Sequence, residues 1–361
     1  MTNFLDQVAY LVDWAVGKIP LRWYVAGALY ILSGILIIYE CKRAIIIEED
    51  LPHDALASLT LDASIILATY NRKELLAACL RCLNAQDYPA HRFEVVIVDD
   101  GSSDGSLELA KSWSASNMIK VISAGHQGIG PARNLGVSQS SGDIVIFIDD
   151  DAFVPPWFVA EHVKSHREAP HSVYVAGPAL NVHGREKIEN PPTTAFQYRI
   201  QAWFDFFGDP FVGVNVSCPR KEFLKQQGFD LRFGQAYGYQ DTELGFRFRL
   251  SGIGGVRNRR AYVLHHQAGT PTLELEMKKR SDRGCTAAMF YKKHPLPEVK
   301  NIIRWKRLRW DERFDRWGWV SWARPEHVAT MKKNGHILYP VARKILLTHL
   351  FASSLRKGLG L

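Results

Sequence analysis

The sequence predicts an open α/β domain, a mostly parallel sheet with helices on both faces. Three observations carry that expectation. From residue 63 onward, apolar runs of strand type alternate with segments of helix type. The strand runs are continuously apolar rather than alternating, as suits strands buried on both faces. Each run ends in polar or acidic residues, at the carboxyl ends of strands where open α/β sheets bind ligands.

The elements follow in order. ASIILAT (63–69) reads as the first strand, with a helix over 73–84 behind it. FEVVIVDD (93–100) is the second strand, followed by a helix near 106–114. IKVISA (119–124) is the third, GPARNLGVSQS (130–140) opens another helix, and DIVIFIDDD (143–151) is the fourth strand. Side chains of ATYNR (68–72), VDDGSSDGS (98–106) and Asp149–Asp151 therefore gather on one rim. Adjacent carboxylates raise one another's pKa values unless a cation lies among them. An oxygen-rich cluster of this kind suits a hard dication such as Mg²⁺ or Mn²⁺. The chain has no G-x-x-x-x-G-K-[ST] segment and no G-x-G-x-x-G after the first strand, which disfavours P-loop and dinucleotide sites.

The ends of the chain have a different character. Residues 23–39, WYVAGALYILSGILIIY, carry no charge and are bounded by aromatic rings and by Arg22 and Lys42-Arg43. As a helix this segment extends roughly 26 Å, within the range of a membrane span. From Lys300 to Leu361 there are 14 Lys/Arg against 4 Asp/Glu, so the excess of +8 belongs to the tail and the remainder is slightly acidic. That excludes a nucleic-acid reading of the whole chain. Arginines interleave with tryptophans in IIRWKRLRWDERFDRWGWVSWARPEH (302–327). The last segment can place Ile337, Leu338, Val341, Ile345 and Leu346 on one helical face. Basic amphipathic helices with Trp and Leu suit an anionic bilayer surface. The expected organisation is a membrane-associated helical segment (1–47), a linker (48–62), a catalytic domain (63–290) and a basic, Trp-rich amphipathic region (291–361). Membrane association is expected, with the catalytic domain in the cytoplasm. The five cysteines, including Cys79-x-x-Cys82 inside a helix, read as core and surface thiols rather than a zinc site.

Six pieces stand in order between about Ser64 and Gln267: SIILATYNR, VVIVDDGSSDGS, GIGPARNLGV, IFIDDDAFVPPWFV, GVNVSCPRKEFLKQQGFD and QDTELGFRFRLSG. Together they resemble the family 2 glycosyltransferases with the GT-A fold. The resemblance implies that Thr69, Tyr70, Asn71, Arg72 and Asp100, with Asp104 nearby, meet the base and ribose of a nucleotide-sugar. Arg133 and Asn134 would help hold the nucleotide. Asp149 and Asp151 would form a D-x-D pair around Asp150, with Asp151 the direct ligand of Mn²⁺ or Mg²⁺. A histidine after a later strand would complete the metal site, and His266 matches the pattern better than His265; alternation along a strand lets only one of them face it.

By the same resemblance Asp241 would be the general base, although Gln240 stands where the family usually has another acid. Glu243 is the alternative for part of that role, and a structural residue otherwise. The implied activity is inverting transfer of a hexosyl or N-acetylhexosaminyl group from a nucleoside-diphosphate sugar, with UDP preferred. The acceptor would be a hydroxyl of a membrane-linked glycan or glycolipid. The alternatives are the same chemistry on a soluble glycan, or a catalytically silent nucleotide-sugar-binding membrane protein. Trp203, Phe204 and Tyr237 are candidate sugar-stacking rings on the acceptor side.

Overall fold

The computed structural model describes residues 61–361 apart from 114–117, 205–210, 235, 268 and 270. The expected membrane segment at 1–47, and all but the end of the expected linker, lie outside the described residues. Among the described residues no helix is long and apolar enough to cross a membrane.

The first half follows the expected alternation: β1 (Ala63–Thr69), α1 (Lys73–Asn84), β2 (Phe93–Asp99), α2 (Ser106–Ser112), β3 (Met118–Ser123), α3 (Ile129–Ser138) and β4 (Ile144–Asp149). These four strands pair in parallel in the order β3-β2-β1-β4. The chain continues through β5 (Ala152–Phe153), α4 (Phe158–Glu168), β6 (Val173–Ala176), β7 (Ala179–Val182), α5 (Phe196–Phe204), β8 (Asn215–Pro219), α6 (Arg220–Lys225), α7 (Gln240–Leu250), β9 (Gly254–Arg257) and β10 (Val263–His266). β8 joins β4 antiparallel and extends the sheet to β6 and β9. The result is seven strands, with β5, β10 and β7 in a separate three-stranded sheet.

The continuous apolar runs have a direct cause in this layering. Ile65, Leu67, Val95, Ile97, Ile146 and Ile148 pack into one core with Leu76, Cys79, Leu80 and Leu83 of α1. The residues between them, Ile66, Val96, Val98, Val145 and Phe147, pack into another core with Ala132 and Val137 of α3. Successive strand residues point to opposite faces, so a strand with a core on each side must be apolar throughout. Cys79 is buried in the first of these cores, and burial pushes the Cys82 thiol up to about 11; both are free thiols.

The C-terminal part is helical: α8 (Leu273–Lys293), α9 (Lys306–Arg316), α10 (Pro325–Lys333) and α11 (Tyr339–Leu359), with one-turn helices between them. α8 runs without a break across residue 290 and packs along α11. The contacts advance together along both helices, from Glu276–Arg343 to Ser281–Ser354 to Ala288–Gly358, so the pair is parallel. Small residues bring the backbones close. A Cβ on Gly284 would lie 2.4 Å from Phe351 O and 2.7 Å from Ser354 Cβ.

The tail's expected apolar face divides in two. Ile345 and Leu346 are buried with Ala342, whereas Ile337, Leu338 and Val341 are exposed, Ile337 to 88%. The physical reason is where α11 begins: Ile337 and Leu338 precede it, and its buried stripe turns towards α8 and α10. A Gly284→Val variant tests this helix pair. A β-carbon there should force the helices apart and destabilise the fold by about 1–3 kcal/mol. An exposed helical glycine would give the opposite sign, because replacing glycine normally favours a helix. Urea unfolding of the two proteins measures the difference.

Candidate functional site

Register builds the rim. Thr69 of β1 lies opposite Asp99 of β2, Asp99 lies opposite Ser123 of β3, and Ala68 lies opposite Asp149 of β4. The strand ends stop level with one another, and the loops that follow carry the polar side chains.

The loop after β1 is tied to the loop after β2. Asn71 sits at φ 52°, a left-handed conformation that asparagine tolerates better than most residues. Its amide nitrogen donates to Ser102 Oγ (2.9 Å), and its Oδ1 accepts from the Ser103 amide (2.8 Å). Asp104 accepts from the Lys73 amide (2.9 Å) and from the Ser106 amide and hydroxyl. It therefore anchors the starts of α1 and α2. Asp100 is buried and accepts from the amides of Gln127 (2.7 Å) and Gly128 (2.8 Å), which fixes the entry to α3. Its neighbour Asp99 is also buried, and Asp99 Oδ1 has no hydrogen-bond partner, whereas both oxygens of Asp100 accept from backbone amides. Tyr70 is 43% exposed and packs on the ring of His126 at 4.2 Å. Those paired rings form a flat, accessible face on the rim.

The three aspartates are compensated by cations from three different elements. Arg72 Nη1 donates to Asp150 Oδ1 (2.9 Å) and Asp151 Oδ2 (2.7 Å). Thr69 Oγ1 donates to Asp150 Oδ2 (2.8 Å). Burial nevertheless pushes the Asp150 carboxyl up to about 6, with Arg72 pulling against it. For Asp151 burial also works upward, but His265 and Arg72 outweigh it and hold the carboxyl below its usual range. His265 responds in kind: burial disfavours its charge, yet Asp151 beside it raises its pKa.

The small sheet brings that histidine in. β5 follows Asp151 directly and pairs antiparallel with β10, placing His265 opposite Ala152. His265 Nε2 approaches Asp151 Oδ1 to 3.1 Å, while that buried oxygen has no hydrogen-bond donor in place. Ligand atoms of Asp149, Asp151 and His265 all lie within 4.8 Å of one another. Two carboxylates, an imidazole and a buried oxygen without a donor fit a hard or borderline dication. His266 does not take part. Strand alternation turns its ring to the other side, where Nε2 meets Gly184 O (3.2 Å) and the ring lies against Phe153. The expected choice of His266 is corrected to His265 on that ground.

Arg133 links the two halves of the site. It is 3% exposed and its guanidinium lies over the edge-to-face pair of Phe147 and Phe229. Its Nη2 donates to Asp149 Oδ1 (2.6 Å) and Gly213 O (2.9 Å), and its Nη1 lies 3.1 Å from Asp241 Oδ1. Gly213 must be glycine, since a Cβ there would lie 2.1 Å from Arg133 Nη1. Asn134, next in sequence, is turned elsewhere. Its amide group exchanges hydrogen bonds with the backbone of Phe229 (Nδ2 to O, 2.8 Å; N to Oδ1, 2.8 Å). Asn134 thus braces a loop, and both of its polar atoms are used in doing so.

Asp241 stands in the first turn of α7, with its side chain about a third exposed. Gln240 is buried and donates to Gly234 O (2.9 Å), so it holds the preceding loop. Glu243 is fully buried and ion-paired with Arg247, Lys293 and His294. Burial works to raise its pKa, but these partners keep the carboxyl low. It fastens α7 to the end of α8. The family's usual pair of acids is therefore represented at the site by Asp241.

A mostly parallel α/β sheet with an acidic rim beside the first turn of a neighbouring helix is an arrangement similar to the GT-A-like fold of glycosyltransferases. The comparisons make this specific. Residues 64–228 match the family Glycosyl transferase family 2, so this part of the chain is similar to that family's domain. It is 27% identical over 312 residues to the validoxylamine A glucosyltransferase of Streptomyces hygroscopicus subsp. jinggangensis, covering 73% of this chain and 70% of that one. It is 36% identical over 255 residues to the uncharacterized glycosyltransferase YfnE of Bacillus subtilis, covering 57% of this chain and 64% of that one. Among solved structures, a mannosyltransferase from Pyrobaculum calidifontis in complex with GDP-Man and Mn²⁺ superposes with a TM-score of 0.57 at 18% identity. It covers 93% of this chain and 97% of that one. Residues 1–349 of Staphylococcus aureus TarS in complex with UDP-GlcNAc superpose with a TM-score of 0.51 at 17% identity, covering 82% and 92%. Both likenesses concern the fold.

The two histidines give the site its sharpest test. Titrating Mn²⁺ into the protein in the presence of UDP, followed by calorimetry, should show affinity falling about ten-fold or more in His265→Ala. His266→Gln should bind as the parent does. A reversed order would return the metal to His266.

Proposed function

We propose that the chain is a metal-dependent, inverting transferase that moves a sugar from a UDP-sugar to a hydroxyl of a membrane-linked glycan or lipid. The observation that carries this reading is the convergence of Asp149, Asp151 and His265 on one point, joined through Arg133 to Asp241. A nucleoside diphosphate laid over the rim would meet the Tyr70–His126 face with its base. Arg72 stands where it can turn from Asp150 and Asp151 to the diphosphate. A dication at Asp149, Asp151 and His265 would supply Lewis-acid stabilisation of the departing diphosphate.

Asp241 accepts the proton of the acceptor hydroxyl as that oxygen attacks the anomeric carbon. Arg133 Nη1, 3.1 Å from its Oδ1, aims the carboxylate. With a single base on the acceptor side, one displacement inverts the anomeric centre. On the acceptor side Tyr237 is half exposed and open to a sugar ring, with Lys279 over it at 5.2 Å. Trp203 is already covered by the Arg259 guanidinium at 4.9 Å.

The donor class is supported by the sugar nucleotides named for the two structural neighbours, one a UDP-sugar and one a GDP-sugar. Membrane attachment rests on the uncharged stretch at 23–39 and on the basic tail. The exposed Trp310, Trp317 and Trp319 suit contact with a headgroup layer. This attachment would hold the catalytic domain at the cytoplasmic face.

Asp241→Asn tests the mechanism. The purified full chain should lose transfer from UDP-sugars to a membrane extract by about 10²–10⁴-fold. Its affinity for UDP with Mn²⁺ should be unchanged. Wild-type turnover in the variant, or a loss confined to UDP binding, would remove Asp241 from the role of base.

A further inference from the structure

Four arginines of the helical bundle gather near Tyr239, which stands two residues before Asp241. Arg343 pairs with Glu276, Arg356 with Asp311 and Arg247 with Glu243. Arg280, Arg283, Arg304 and Arg307 have no carboxylate partner among the described residues. Arg280 and Arg283 are neighbours on α8, separated by less than one turn. Arg304 sits in the tight turn before α9, at φ 57°, and Arg307 lies in the first turn of that helix. The four guanidiniums act on one another. Burial and the charges of Arg280, Arg304 and Arg283 pull Arg307 down to about 10, and burial with Arg283 and Arg304 lowers Arg280.

Aromatic rings hold this cluster in position. The Arg283 guanidinium lies 5.3 Å from the ring of Tyr239, and that of Arg307 lies 5.0 Å from the ring of Phe351. Both rings are buried. Arg283 Nε is buried with no hydrogen-bond partner. Gly238 keeps the approach narrow, since a Cβ there would lie 3.1 Å from Arg283 Cγ. Tyr239 immediately precedes α7, two residues before Asp241. The cluster is therefore attached to the acceptor side of the reaction centre.

We infer that Arg280, Arg283, Arg304 and Arg307 form an anion site that takes a phosphate ester of the acceptor. This deepens the transferase reading and rests on it for the word acceptor. Guanidinium forks match phosphate oxygens geometrically, and a multiply charged phosphate or pyrophosphate would relieve the mutual repulsion of four cations in a way that a lone carboxylate would not. A phosphate seated there would bring a sugar or polyol hydroxyl linked to it towards Asp241. Discrimination would follow, because an acceptor without the anion would leave the arginines uncompensated.

The test uses the full chain and reads thermal stability and binding with soluble probes. Inorganic pyrophosphate, in EDTA to remove divalent cations, should raise the melting temperature of the wild type by several degrees, as a ligand of the folded state does. Arg283→Met/Arg307→Met should weaken pyrophosphate binding at least ten-fold. Without pyrophosphate it should melt no lower than the parent, since repulsion has been relieved. Arg304→Gln, at an exposed turn, is the second variant and should weaken binding several-fold.

Hexyl phosphate set against inorganic phosphate distinguishes the source: tighter binding of the ester indicates a lipid-linked phosphate, and equal binding a phosphate group alone. Undiminished pyrophosphate binding in both arginine variants would overturn the site. So would the absence of any pyrophosphate effect on the wild type. UDP with Mn²⁺, titrated in parallel, should bind all of these proteins equally; its failure with the wild type would count against the transferase reading and not against the arginine cluster.

Discussion

Three neighbouring carboxylates at the end of a buried strand can be ionised together only if cations lie among them, and the rest of the site is arranged around that constraint. Arg72 comes from the loop after β1, Arg133 from α3 and His265 from β10. Each must cross from a different part of the chain to reach Asp149–Asp151. The level strand ends, the small second sheet and the glycine at 213 are the means by which they do so. Asp150, the most deeply set of the three, shows how narrow the balance is: even with Arg72 and Thr69 on its oxygens its carboxyl rises to about 6.

The same charge logic extends across the cleft. Arg133 is shared by Asp149 of the rim and Asp241 of α7, so one buried guanidinium ties the two acids together. Behind Asp241, α7 is fastened by Glu243 to Lys293 and His294 at the end of α8, which in turn lies along α11. The C-terminal helices thus complete the acceptor side as well as offering tryptophans to their surroundings. Four arginines without a carboxylate partner among the described residues gather beside Tyr239, where the proposed charged acceptor would approach.

Much of the first half was legible in the sequence because one physical signal was strong. A strand with cores on both faces must be apolar throughout, and ASIILAT and FEVVIVDD are; their ends then mark the rim. Asp149 and Asp151 stand on that rim by the same placement, whereas Arg133 was expected only through the family resemblance. Local pattern was weaker wherever the deciding contact was distant in the chain. Which of His265 and His266 faces the metal depends on the pairing of β10 with a two-residue strand more than a hundred positions earlier. Asn134 and Asp104 have the composition of ligand-binding residues but use their polar atoms on backbone amides. The unpartnered oxygen on Asp99 rather than Asp100, and His126 beside Tyr70, also depend on loop geometry that no short motif carries. In the tail the helical period was readable, but where α11 begins and which side docks on α8 was not.

The central claim is that a dication completes the Asp149–Asp151 edge and joins it to a diphosphate. The most direct measurement is an anomalous difference map at the manganese edge from crystals grown with Mn²⁺ and UDP. The account predicts one strong peak about 2.0–2.5 Å from oxygens of Asp151 and from His265 Nε2, touching the diphosphate. A well-ordered UDP on the rim with no peak there, or manganese bound elsewhere in the chain, would contradict it.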